Sequence, residues 1–294
     1  MRMALAASLS LVSLSGCVSV APPPSQFPSA DAALERMQRT QACGTGVRAQ
    51  AKIDHFGERG RVRGDLMLYA VRPAKLRMDA ISPFGVALAT LTSDGQRFTL
   101  MDKRENRFYT GPAKACNIAR LSTVAIPGHV LGGLLRGLPP VLVHDARATT
   151  LVWNKSGYYV ITIASTRSAR EELHLAPVPE DFQKPWSEQR LRLLDVLISQ
   201  HDGVLYHAEL DGHARASAAA APDEEIIPGE PRSASSGPAC EAELPRSIHL
   251  EVPGAKGADV LFRYETVVWN PPVAPDTFTQ PIPGGMVVTP VDCD

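Results

Sequence analysis

From Arg61 to Gly111 the chain alternates, and in each strand-like piece the apolar side falls on one parity. Val62, Leu66, Leu68 and Ala70 share one face, while Arg61, Arg63 and Asp65 point the other way. Leu76, Met78 and Ala80 alternate with Lys75, Arg77 and Asp79. Val86 and Leu88 lead the next piece, and Phe98 and Leu100 alternate with Arg97, Thr99 and Met101. A period of two gives a strand one apolar and one wet face. Turn chemistry separates the pieces at Arg72-Pro73, Ser82-Pro83-Phe84-Gly85, Ser93-Asp94-Gly95 and Lys103-Arg104-Glu105-Asn106. Connections this short suit antiparallel neighbours. The pattern predicts a meander with one apolar side, and that side needs a cover.

The N-terminus assigns a compartment. Arg2 precedes an apolar run, Met3 to Leu14, too short to span a bilayer and followed by Leu14-Ser15-Gly16-Cys17. This segment resembles a bacterial lipobox, which implies a signal peptide over 1–16 and lipid on Cys17. Val18 and Ser19 follow with no aspartate, which by the enterobacterial sorting pattern favours the outer membrane. Residues 17–28, with Pro22-Pro23-Pro24, read as a lipidated N-terminus and tether. Export leaves Cys43, Cys116, Cys240 and Cys293, an even set in an oxidising compartment. The expected pairs are Cys43 with Cys116 and Cys240 with Cys293, each within one half of the chain. Loops of that length add roughly 4 kcal/mol by the chain-entropy argument. No Cys-x-x-Cys spacing points to zinc.

Residues 29–294 read as one domain. Ser29 is placed to cap a helix over Ala30 to Gln41, with Ala33, Leu34 and Met37 on its apolar stripe. The first strand covers Val47 to Ile53. After the meander, Ala113 to Leu121 reads as a short helix. Val124 to Leu138 carries Val130, Leu131, Leu134 and Leu135 at helical spacing, interrupted by Gly132, Gly133 and Gly137. A helix apolar nearly all round is buried, and this one is the natural cover for the sheet, with Ala30 to Gln41 beside it. Strands resume at Thr150 to Trp153 and Tyr158 to Ala164, around the hairpin turn Asn154-Lys155-Ser156-Gly157. Glu171 to Ala176 continues them, and Gln189 to Ser199 is strand-like in two registers. Residues 214–243 are poor in apolar bulk and read as a flexible insertion. Ile248, Leu250 and Val252, then Val260, Phe262 and Tyr264, return to the sheet. The tail from Pro271 to Pro290 is extended. The fold class is mostly β with an α lid: a curved antiparallel sheet, an incomplete barrel, covered by short helices.

A net charge of −1 and the lack of a basic stripe with interleaved aromatics exclude nucleic acid as a partner. Gly-x-Ser-x-Gly, Ser-x-x-Lys, phosphate-loop and His-Glu-x-x-His signatures are missing. His201, His207 and His213 recur at a spacing of six, but Gly203 and Gly212 interrupt them. They read as satisfied or solvent-facing histidines rather than a metal site. The expectation is a non-enzymatic chain with no cofactor and no metal.

The run from Arg72 to Gly111, followed by a short helix and Val130 to Pro140, resembles the LolA/LolB lipoprotein carrier and receptor fold, as does the tail Ala274 to Val288. The resemblance implies that lipid chains enter between the sheet and its helices. The cavity would be lined by Leu66, Leu68, Leu76, Met78, Leu88, Phe98, Leu131, Leu134 and Leu135. By the same resemblance Phe84 would project from its loop and help lipid reach the membrane. The implied partners are membrane lipid through acylated Cys17, a lipid or lipoprotein cargo, and a periplasmic carrier. An envelope-assembly lipoprotein using the sheet as a docking surface is the alternative. The residues alone leave open whether the space under the cover is a cavity or a solid core. Mass spectrometry of the mature N-terminus is expected to find an acylated Cys17; a chain beginning elsewhere without acylation contradicts the assignment.

Overall fold

The computed structural model describes residues 19–57, 60–201, 203–216, 234–238, 240, 242–254 and 257–293. The expected signal peptide over residues 1–16 and the expected lipid site Cys17 therefore lie outside the described residues. Helix α1 (Ala30–Thr40) leads into a meander of β1 (Gly46–Gly57), β2 (Gly60–Val71), β3 (Lys75–Ile81), β4 (Ala87–Ser93), β5 (Arg97–Asp102) and β6 (Arg107–Pro112). Helices α2 (Ala115–Ser122) and α3 (Gly128–Leu134) follow. A second meander holds β7 (His144–Asn154), β8 (Tyr158–Ser165), β9 (Ala169–Pro177), β10 (Leu191–Gln200) and β11 (Gly203–Asp211). Short strands β12 (Ala214–Ala216), β13 (Ala234–Ser235) and β14 (Ala242–Leu244) precede β15 (Ser247–Val252) and β16 (Ala258–Trp269). The tail adds β17 (Pro272–Val273) and β18 (Val287–Pro290).

Fourteen strands form one curved sheet, in the order β18-β6-β5-β4-β3-β2-β1-β16-β15-β11-β10-β9-β8-β7, and it does not close into a barrel. Neighbours are antiparallel except β18, which runs parallel to β6. The apolar parities converge on the inner face, and three helices divide its cover. α2 packs on β4 and β5, α3 on β2 and β3, and α1 on β7 and β10. α1 forms as its sequence dictates: the Ser29 hydroxyl accepts from Ala32 N at 3.2 Å, and Ala30, Ala33, Leu34 and Met37 are buried. The core is continuous from Leu68 and Met78 through Phe262 and Val260 to Leu173 and Ile161.

Register corrects the reading of β4. Met78 faces Leu91 and Ala80 faces Ala89. Ala89 and Leu91 therefore point inward, while Leu88 is the unpaired extra residue of a bulge between the Ala80–Ala89 and Ile81–Ala87 pairs, and is only partly buried. β3 has a single apolar parity and so fixes β4, whose apolar residues occupy both. Val62 keeps its parity yet is exposed, because its partner is His55 near the β1–β2 turn, outside the apolar cluster. β10 reads in two registers because it holds a bulge. Leu191 and Leu193 point inward, the pairing with β9 shifts between Leu193 and Asp195, and Val196 and Ile198 then point inward.

Two other expectations change. The ends of the 214–243 segment are structured: β12 pairs with β14, and β13 with β17. Residues 217–233 lie outside the described residues. The stretch read as a free tether is docked from Val20 onward. Val20 N donates to Lys155 O at 2.9 Å, and Trp153 Nε1 donates to Val20 O at 3.0 Å. Phe27 is buried edge-on against Tyr159, and Trp186 N and Gln189 Nε2 donate to Ser25. Proline fixes the backbone extended, but it leaves carbonyls and aromatic bulk free to dock.

The disulfides join Cys43 to Cys240 and Cys116 to Cys293, overturning the pairing within halves. The reason is topological. β1 pairs with β16 over ten residue pairs, which sets the segment before β1 beside the segment after β16, and there β13 pairs with β17 and brings Cys240 to Cys43. Likewise β18 lies beside β6, just ahead of the helix that carries Cys116. Sequence separations of 197 and 177 residues make each link worth about 5 kcal/mol by the chain-entropy argument. Peptide mapping without reduction is expected to recover Cys43–Cys240 and Cys116–Cys293. Recovery of Cys43–Cys116 would contradict the β1–β16 pairing.

Candidate functional site

The inner face beneath α3 is an apolar surface covered by a single short helix. Leu66, Leu68, Leu76, Met78 and Phe98 from the sheet join Leu131, Leu134 and Leu135 in one buried cluster, each at most 5% exposed. Leu88 is the one expected lining residue that the fold places elsewhere. Burial of the three lid leucines contributes about 2 kcal/mol each. α3 is shorter than its apolar pattern, because Pro127 starts it and Gly137, at φ +76°, turns the chain after it. Gly132 turns its bare Cα toward the sheet. A methyl added there would lie 3.4 Å from Leu76 Cδ2 and 3.9 Å from Ala70 Cβ. The helix backbone thus approaches the strands closely, and the space between lid and sheet is filled in this conformation.

Polar side chains fasten the C-terminal end of the lid. The buried Tyr264 hydroxyl donates to Leu135 O at 2.7 Å. Arg136 is buried; its Nε donates to Gly132 O at 2.9 Å and its Nη1 to Gly44 O at 3.5 Å. A guanidinium on the last carbonyls of a helix is favoured by the helix dipole. Burial, with Arg72 nearby, pulls its pKa down to about 10, so it stays charged. Gln41, which ends α1, donates to Gly137 O at 3.2 Å. A cleft of about 600 Å³ opens on the far side of this clasp, between α1 and α3, and Arg39, Arg72 and His129 line it with Arg136. Sequence reasoning missed the clasp. Tyr264 reads as one more inward-facing strand residue, and nothing in the run from Leu131 to Leu138 distinguishes Arg136 from a solvent-facing cation.

Phe84 stands at the β3–β4 turn, 92% exposed, with Val86 exposed beside it. It does not fold back onto the core. The histidines at 201, 207 and 213 do not converge. His201 occupies a turn with positive φ, His207 is on the outer face, and His213 is half-buried, its pKa pushed down to about 4 chiefly by desolvation of the ring.

Glu171 is a further buried group on the inner face. Its Oε2 accepts from Leu142 N at 2.9 Å, just beyond the lid, and its Oε1 has no partner among the described residues. Burial pushes this carboxyl up to about 7, partly opposed by the Leu142 N–H and by His144.

No family model matches the chain. No curated protein is similar to it in sequence. Among solved structures, a LolA superfamily protein from Nitrosomonas europaea matches at a TM-score of 0.48 and 12% identity, over 86% of this chain and 99% of that one. An outer membrane lipoprotein-sorting protein domain from Vibrio parahaemolyticus, so described putatively, matches at a TM-score of 0.42 and 9% identity, over 84% and 94%. Among the described residues, no helix is long and apolar enough to cross a membrane.

The Glu171 carboxyl makes stability depend on pH. The folded chain holds this proton at pH values where the unfolded chain has lost it, so stability falls as pH rises from 4.5 to about 7, then levels. Glu171→Gln is expected to match the parent near pH 4 and to exceed it at pH 8, by on the order of 3 kcal/mol. Thermal melts at the two pH values measure the difference; an equal offset at both would contradict the buried-carboxyl assignment.

Proposed function

We propose that this chain is a lipid-anchored, periplasm-facing, non-enzymatic protein that takes acyl chains of a lipid or lipoprotein between its sheet and α3. The observation that carries the reading is the lid itself. A single helix of seven residues covers an apolar strip of sheet, and polar side chains clasp it at its C-terminal end. Each leucine beneath it could exchange contact with its neighbours for contact with a methylene chain at little net cost. Phe84, held out in solvent on a tight turn, supports a role in passing cargo to a membrane, and the lipobox-like N-terminus supports outer-membrane attachment. A periplasmic carrier is the matching donor.

The filled interface under α3 favours a second reading, in which the sheet is a docking platform for envelope assembly and α3 never lifts. The lid separates the two. Tyr264→Phe and Arg136→Gln each remove clasp hydrogen bonds worth about 1 kcal/mol. In the carrier reading they speed uptake of a pyrene-labelled triacylated peptide by the nanodisc-bound protein, whereas Leu134→Asp, placing a charge under the lid, abolishes it. Unchanged uptake in folded forms of all three rejects the carrier in favour of the platform.

A further inference from the structure

The outer face of the sheet carries a paired constellation. β11 and β15 each bear a His-x-Glu, His207-Ala208-Glu209 and His249-Leu250-Glu251. Their antiparallel register sets His207 opposite Glu251 and Glu209 opposite His249. The flanking strands add one aspartate each. β10 sets Asp195 opposite Glu209, and β16 sets Asp259 opposite Glu251. Six side chains from four adjacent strands are thus related by a local two-fold axis between β11 and β15.

We propose that each half of this constellation holds one divalent cation of the zinc class. Asp195, His207 and Glu209 form one triad, and His249, Glu251 and Asp259 the other; within each, the ligand atoms all lie within 4.8 Å of one another. His207 Nε2 is 2.7 Å from Asp195 Oδ2, and His249 Nε2 is 2.8 Å from Asp259 Oδ1. A tetrahedral zinc with bonds near 2.0 Å separates its ligands by about 3.3 Å, so each His–Asp pair would open by roughly half an ångström and the glutamate would close in by up to about 1.5 Å to admit the ion.

The second ring nitrogens argue for the same assignment. His207 Nδ1 faces Glu251 at 3.4 Å, and His249 Nδ1 faces Glu209 at 3.3 Å. Each imidazole therefore has one nitrogen among the ligands of its own triad. The other meets a carboxylate of the opposite triad, the arrangement that orients metal-bound histidines. Charge points the same way. Among the described residues, no lysine or arginine comes within 4.0 Å of these four carboxylates, whereas Lys52 on the same face bridges Asp65 and Glu265. Two divalent ions would balance four carboxylates and two neutral imidazoles. Imidazole among the ligands favours zinc over magnesium or calcium. The pair would strap β10, β11, β15 and β16 across the point where the 212–246 segment interrupts the chain.

The test is equilibrium dialysis of the full-length protein, in detergent, against zinc chloride, with metal content read by mass spectrometry. Two zinc ions per chain are expected, retained against about a thousandfold excess of magnesium. His207→Ala and His249→Ala should each keep one ion. The double variant, whose changes lie on the half-buried outer face, should bind none while keeping the parent's circular dichroism. A parent that takes up fewer than two ions, or a double variant that takes up as many as the parent, overturns the paired site.

Discussion

The pairing of β1 with β16 is the constraint on which the rest depends. β1 is hydrogen-bonded on both sides, to β2 within its own meander and to β16 from the far end of the chain. Without that second pairing, two meanders would each present an exposed edge and half an apolar face. With it, the inner faces fuse into one surface that three short helices can cover. The pairing is long-range, so forming it costs loop entropy that local turns do not repay. Two disulfides spanning nearly two hundred residues each reduce that cost in the oxidised chain.

Local pattern was legible; long-range placement was not. Alternation in Leu66–Ala70, Leu76–Ala80, Ile248–Val252 and Val260–Tyr264 reports burial directly, since side-chain period and sheet face are the same fact. The same logic locates α1 from Ser29 and its stripe. Leu88 misleads because its strand carries apolar residues on both parities, and only its neighbour's register selects between them. The two registers of Leu191–Leu193 and Val196–Ile198 are a visible bulge, yet periodicity alone does not say which strand absorbs the extra residue. Cysteine proximity in sequence misled because halves of the chain are not halves of the fold.

The candidate site divides the same way. Its leucines are readable, being apolar residues at helical and strand spacing. The clasp is not, because Tyr264, Arg136 and Gln41 act through backbone carbonyls that lie 129, 4 and 96 residues away. Backbone acceptors leave no trace in a sequence. The paired His-x-Glu on β11 and β15 is similarly silent until the register is known, since the two copies lie forty-two positions apart and gain meaning only when antiparallel.

The docked N-terminal segment changes what an anchored domain can reach. A free spacer from Cys17 to Pro28 would let the domain roam roughly 40 Å from its attachment point. Because Val20 is already bonded to the β7–β8 hairpin, a lipid on Cys17 would be separated from the folded domain by three residues' length at most, about 10 Å. A domain anchored through Cys17, as proposed, would be mounted rather than tethered, held close to the bilayer surface. Under the proposed function, a receiver mounted in this way would not travel to its suppliers, so its cargo would be brought to the membrane surface and released there.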